Sequence, residues 1–87
     1  MKIEIHSSFS KAARKLPADV QHKVAEIIII IEVARTIRDL QNCKKLKGYK
    51  SAYRIKLDTY RIGFFFERGV VELTTVLHRR DIYRYFP

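Results

Sequence analysis

The chain is expected to fold as α+β in the order β-α-α-β-β-β, a small antiparallel sheet with an N-terminal helical hairpin packed on one face. Three observations predict this class. Apolar residues alternate with polar or cationic ones in Tyr53-Arg54-Ile55-Lys56-Leu57 and in Tyr60-Arg61-Ile62-Gly63-Phe64, the period of two that marks strands. Upstream, apolar residues recur at helical spacing through residues 9–16 and 20–31. The pairs Asp58-Thr59 and Arg68-Gly69 separate the last three apolar segments as hairpin connections do, with Gly69 suited to the positive φ of such turns.

The elements follow in order. Residues 2–6 alternate, with Ile3 and Ile5 on one side, and read as a first strand. Ser7 or Ser8 can cap the next helix, in which Phe9, Ala12, Ala13 and Leu16 fall at i, i+3, i+4 and i+7. Pro17 breaks that helix and can occupy the first turn of the second. The second helix is expected over residues 18 to about 37, where Val20, Val24, Ile27, Ile28 and Ile31 keep helical spacing. Five consecutive isoleucines also suit a buried strand, but Gln21, Lys23, Glu26, Glu32 and Arg35 extend an amphipathic pattern on both sides. Ile29 and Ile30 fall off the core stripe; they are expected to be buried against the first helix, with a partner-binding patch as the alternative. Residues 38–48 read as a polar loop with Leu40, Leu46 and the run Lys44-Lys45-Leu46-Lys47-Gly48. Strands at 52–57, 60–67 and 70–77 form an antiparallel meander, with the first strand beside the last. Residues 78–86 are a polar and aromatic tail with a turn of helix.

An 87-residue chain that is 47% hydrophobic is expected to be one domain, residues 1–87, with a small core. Its 18 Lys and Arg against 9 Asp and Glu give a net charge of +9, which points to a polyanionic partner: RNA, DNA or an acidic protein. Cys43 is the only cysteine, so an internal disulfide and a multi-cysteine zinc site are both excluded, and the lone thiol suits a reducing cytoplasm. The longest apolar run, residues 27–31, is too short to span a bilayer, and residues 1–8 lack the apolar run of a signal peptide. A soluble cytoplasmic protein with no membrane association is expected.

The strand pattern sorts the charge. Tyr53, Ile55 and Leu57 share one side of their strand and Arg54 and Lys56 the other; Ile62, Phe64 and Phe66 oppose Arg61, Gly63 and Phe65 on the next. Pairing the apolar sides gathers Arg54, Lys56 and Arg61 on the sheet face away from the helices, which is expected to stay uncovered or open as a groove. Such a face suits phosphate.

Four segments together resemble the RelE/ParE toxin superfamily of type II toxin–antitoxin systems: Lys45-Leu46-Lys47-Gly48, Tyr53-Arg54-Ile55-Lys56-Leu57, Tyr60-Arg61-Ile62, and His78-Arg79-Arg80-Asp81-Ile82-Tyr83. The resemblance covers nearly the whole chain and implies a RelE-like, microbial ribonuclease-type fold. Its RelE-like branch implies a ribosome-dependent endoribonuclease that cuts mRNA and inhibits translation. The ParE-like branch implies a DNA gyrase inhibitor; an inactive relic that only docks an antitoxin is the third alternative. The partners implied are a cognate antitoxin, the ribosome and mRNA, with operator DNA bound through the antitoxin. Carried over residue by residue, the catalytic set is Arg54, Lys56, Arg61, Arg79 and Tyr83, joined by His78. The basic residues Lys44, Lys45, Lys47, Arg80 and Arg84 are the candidate RNA contacts. Arg54 is the one departure, since the resemblance implies a lysine there in RelE itself: arginine keeps the phosphate grip but exchanges protons poorly.

No cofactor and no metal are expected. Neither a histidine pair nor a carboxylate cluster stands out, and His6 and His22 read as a strand end and an exposed helix position. Cleavage would use the RNA's own 2′-hydroxyl, leaving a 2′,3′-cyclic phosphate (or its 3′-phosphate) and a 5′-hydroxyl. Arg61 and Arg79 suit stabilisation of the phosphorane. Lys56 or Tyr83 is the candidate base, Arg54 an electrostatic stabiliser, and the acid is either His78 or a lysine. Tyr83 could also stack on a splayed base. The structural alternatives are plain: Arg54 and Lys56 as solvent-facing strand residues, Arg61 as a brace for its hairpin, Tyr83 as a ring packed on the sheet edge. Arg79 has the opposite strand parity from His78, so both reach one site only if the strand ends or bulges there.

Overall fold

Lys2–Ile5 forms β1, and the chain turns at once into α1 (Ser7–Arg14) and α2 (Ala18–Val33). A computed structural model describes residues 1–87. A short 3-10 turn (Ile37–Asp39) leads to β2 (Cys43–Lys45), β3 (Ala52–Leu57), β4 (Tyr60–Glu67), β5 (Val70–His78) and α3 (Arg79–Tyr85). The five strands make one sheet in the order β1-β5-β4-β3-β2, antiparallel except that β1 runs parallel to β5. This is the expected α+β meander with its first strand beside its last, enlarged by the edge strand β2 and by the growth of the expected C-terminal turn into α3.

The helices cover one sheet face. Phe9, Val20, Val24 and Ile31 meet Ile55, Leu57, Ile62, Phe64, Val71, Leu73 and Val76 in the main core. Capping differs from expectation. His6 and Pro17 hold the N-cap positions, and Ser8, already inside α1, donates its hydroxyl hydrogen bond to the Thr74 carbonyl instead. The second helix stops at Val33, before the expected limit near 37. A Thr36–Asp39 capping box starts a new turn there, and the Met1 ammonium donates to the carbonyls of Ile31, Glu32 and Ala34 at the end of α2. Ile29 and Ile30 are not buried against α1: they are 60% and 53% exposed, because α2 uses the 20/24/31 stripe against the sheet and α1 lies along β5.

The segment expected to be a loop, 38–48, holds an edge strand. Cys43, Lys44 and Lys45 pair with Ile55, Arg54 and Tyr53, and Leu40 and Leu46 are buried. The tail also does more than expected. It forms a two-turn helix that lies on the second sheet face, where Ile82 and Phe86 bury against Leu46 and Ala52, flanked by Phe65 and Leu77. That face is therefore half covered. Gly63 permits this: a Cβ there would lie 2.7 Å from the Phe86 ring, so only glycine lets the ring sit on the strand.

One irregularity sets which side chains of β5 face where. Gly63 pairs with Thr75 while Phe64 pairs with Leu73, leaving Thr74 as a bulge. Val71 and Leu73 face the main core before it and Val76 after it, so the parity of every later residue is inverted.

Candidate functional site: a cationic concavity on the sheet

The register places Lys44 directly opposite Arg54, and Lys56 directly opposite Arg61. Both pairs lie on the face shared with Gly63, so four cations from three strands adjoin one another. Like charges opposite each other across strands destabilise a sheet by a few tenths to about 1 kcal/mol per pair. No carboxylate offsets them. The two ion pairs of the structure, Lys23–Asp58 at 2.6 Å and His6–Glu72 at 3.8 Å, involve none of these residues. A stability cost without structural compensation is the pattern of a surface kept for a ligand.

The cations line a concavity of about 360 Å³ together with Asn42, Cys43 and Tyr83. Tyr83 reaches it from α3. Its neighbours Ile82 and Phe86 anchor the helix in the second core, while Tyr83 itself is 70% exposed and the Arg54 guanidinium carbon lies 4.5 Å from its ring centroid. Arg61 is partly committed. Its Nη1 donates to the carbonyls of Asp58 (2.9 Å) and Tyr60 (2.8 Å), bracing the β3–β4 turn, while Nε and Nη2 have no protein partner. Brace and phosphate grip thus coexist in one side chain. The Cys43 thiol is pushed up to about 11 by burial, so it stays protonated at neutral pH and is a poor nucleophile.

Of the residues singled out from the sequence, Arg54, Lys56, Arg61, Tyr83 and Lys44 meet here. Arg79, exposed at the start of α3, stands one helical turn before Tyr83 and so on the same side of that helix; its N–H donates to the Thr59 carbonyl. His78 does not join them. The bulge at Thr74 turns it to the helix-covered side, opposite Tyr60, whose ring it meets edge-on at 5.7 Å. There its Nδ1 accepts the Arg80 N–H as the N-cap of α3. It lines a separate groove with Lys11, Lys15 and Asp81. Lys45 pairs with Tyr53 and shares its side of the sheet, the one away from Arg54; Lys47, Arg80 and Arg84 are exposed outside the concavity. Asn42 and Cys43 were not foreseen. Asn42 takes a left-handed φ of 58° and accepts the Lys56 N–H, closing the rim of the sheet there. No cluster of three or more His, Cys, Asp or Glu side chains could hold a metal ion, and no helix is long and apolar enough to cross a membrane.

A five-stranded α+β fold with an uncompensated cationic hollow under an exposed tyrosine has a surface of the kind that suits a polyanion. Comparison narrows the class. No protein-family model matches the chain. The chain is 34% identical over 88 residues to toxin RelE3 of Methanocaldococcus jannaschii, with both chains covered in full. The fold superposes with a TM-score of 0.81 and 32% identity on the crystal structure of a RelB–RelE antitoxin–toxin complex from Methanococcus jannaschii, covering 95% of this chain and 98% of that one. An archaeal RelE–RelB complex from Pyrococcus horikoshii shares the fold at a TM-score of 0.72 and 24% identity, with 90% and 93% covered. The chain belongs to the RelE toxin family of toxin–antitoxin systems.

Proposed function

We propose that this RelE-family toxin is an endoribonuclease that cuts mRNA on the ribosome by attack of the RNA's own 2′-hydroxyl. The observation that carries the reading is the meeting of Lys44, Arg54, Lys56, Arg61 and Tyr83 in one hollow without a carboxylate. Arg61, through its free Nε and Nη2, and Arg54 bind the scissile phosphate and the charge that grows on it. Arg79 approaches from the helix side. Tyr83, whose hydroxyl has no protein partner, acts as its phenolate, taking the 2′-hydroxyl proton to become the neutral phenol as the 2′-oxygen attacks the phosphorus. The acid for the leaving 5′-oxygen is a lysine, Lys56 at the centre of the cluster with Lys44 beside it, because His78 faces the other side of the sheet. Lys47, Arg80 and Arg84 extend the positive surface for ribosomal RNA.

An antitoxin is the natural partner. Relatives of this fold crystallise as RelB–RelE complexes, and a net charge of +9 favours an acidic one. Exposed Ile29, Ile30 and Val33 on α2, with Ile5 near its flank, offer it an apolar track. Operator DNA would be bound through the antitoxin, and the ribosomal substrate places the toxin in the cytoplasm. The relatives that share more than 30% identity are RelE proteins, which favours this reading over the ParE-like alternative.

The test maps cleavage ends on translated and untranslated mRNA with the purified toxin. Cuts confined to ribosome-bound message are expected, and losing the proton donor in Lys56→Ala should slow them by about 10²–10⁴-fold. Cutting that ignores the ribosome, or survives Lys56→Ala and Arg61→Ala unchanged, refutes the reading.

A further inference from the structure

Of the four cations in the hollow, Arg54 is the one that lies against the Tyr83 ring. The Arg54 guanidinium lies over the Tyr83 ring at 4.5 Å, and it makes no ion pair and no hydrogen bond within the protein. A guanidinium has a flat face that stacks and an edge of N–H donors that grips phosphate; a lysine ammonium has neither the face nor the fork. Tyr83 has no other ring neighbour to hold it. Tyr53, Tyr60, Phe64, Phe65, Phe66 and Phe86 engage one another or His78, and Tyr83 takes part in none of those pairs.

We propose that Arg54 is a positioning residue for Tyr83: its guanidinium closes one face of the ring and holds it across the hollow, leaving one open face on which a single RNA base stacks while the guanidinium edge holds that nucleotide's phosphate. The inference rests on the RNA-binding reading of the hollow and adds what this chain's arginine does there.

The backbone fixes both partners. β3 is held on both sides by β2 and β4, and α3 is pinned by Ile82 and Phe86 through the contact that Gly63 allows. The remaining freedom is the two side-chain torsions of Tyr83 and the flexible stem of Arg54. Stacking the two removes part of that freedom before RNA arrives, so less ordering remains for binding to offset. A guanidinium at this position makes the ring a rigid platform. It also makes recognition of base and phosphate one event.

The test uses binding, not cleavage. The probe is a 2′-O-methylated trinucleotide carrying 2-aminopurine, which cannot be cut by 2′-hydroxyl attack and whose fluorescence is quenched on stacking. Wild type should quench it. Arg54→Lys, which keeps the charge, should weaken binding about twofold to fivefold, the range of an exposed cation–π contact. Tyr83→Ala should abolish quenching, and Arg54→Lys should add nothing in that background. In the free protein, the Arg54 side-chain protons should show upfield ring-current shifts by NMR that Tyr83→Ala removes and Tyr83→Phe keeps. Equal affinity for wild type and Arg54→Lys, additive losses in the double variant, or absent ring-current shifts overturn the proposal while leaving RNA binding standing. A wild type that binds no probe, yet shows the ring-current shifts, removes the RNA reading and the stacking proposal with it.

Discussion

Removing a charge from the hollow should make the protein more stable. Lys56 faces Arg61 across the strand pair and shares its side of β3 with Arg54, and no carboxylate lies among them. If the charged tips are about 7 Å apart, each repulsion is worth about 0.6 kcal/mol at the dielectric of water. Two such neighbours make about 1 kcal/mol, a melting temperature raised by about 4–8 °C for a domain of this size. Lys56→Met keeps the unbranched stem and loses the charge. Arg61 is a poorer choice, since replacing it also removes the bonds to the Asp58 and Tyr60 carbonyls. The assay is thermal and urea denaturation at low ionic strength and at about 1 M salt, where the Debye length of about 3 Å screens the repulsion. The gain should be full in low salt and nearly absent in high salt. Lys23→Met is the control: Lys23 is also exposed but bonds Asp58 at 2.6 Å, so neutralising it should not stabilise. If Lys56→Met destabilises the protein, or its effect ignores salt, the four cations are not an uncompensated cluster.

Three further outcomes follow from particular contacts. Gly63→Ala places a Cβ against the Phe86 ring and should cost about 1–3 kcal/mol by overpacking, with faster hydrogen exchange in α3 than in β4; unchanged exchange in α3 would mean that the helix is not held through this contact. His78→Ala should destabilise α3 by about 1 kcal/mol through loss of its cap, whereas His78→Asn, which can accept the same N–H, should keep both stability and cleavage; loss of cleavage in the asparagine variant would give the imidazole a chemical role. Burial raises the Cys43 thiol from 9.0 to about 11, so the folded state keeps its proton where the unfolded state loses it. Stability from this group is complete below pH 9 and falls as pH rises from 9 toward 11; Cys43→Ser should flatten that limb, and alkylation of the folded thiol should stay slow until the same range.

The fold was legible where side-chain period and burial agree. The alternation through Tyr53–Leu57 and the 20/24/31 stripe each have one apolar side, and each element buries it. Misreading came where local pattern and tertiary context part. Five isoleucines in a row cannot all face one way on a helix, and a helix lying on a sheet can bury only one stripe, so Ile29 and Ile30 were left out. The three residues of β2 are too few and too polar to show a period, and they are a strand only because β3 offers its edge. A turn of helix is expected in the tail, but its seat on the sheet is not; the mark of that seat is a glycine in the middle of a strand, which signals close approach by another part of the chain.

The site divides along the same line. Arg54, Lys56 and Arg61 could be placed from alternation alone because β3 and β4 pair without interruption from Leu57–Tyr60 to Ala52–Phe65. His78 could not, because one extra residue at Thr74 inverts the parity of all that follows, and a bulge in a Thr-Thr pair leaves no mark in the hydrophobic pattern. The inversion has a constructive consequence. It puts Leu77 under the second core, where α3 packs, and His78 at the cap of that helix. An uninterrupted β5 would instead have set an imidazole on the cationic face and left the helix start without its acceptor. The bulge thus gives α3 both its start and its seat, and with them the position of Tyr83 over Arg54. In the proposed reaction proton transfer in the hollow falls to lysine and tyrosine, and the histidine caps the helix that delivers the tyrosine.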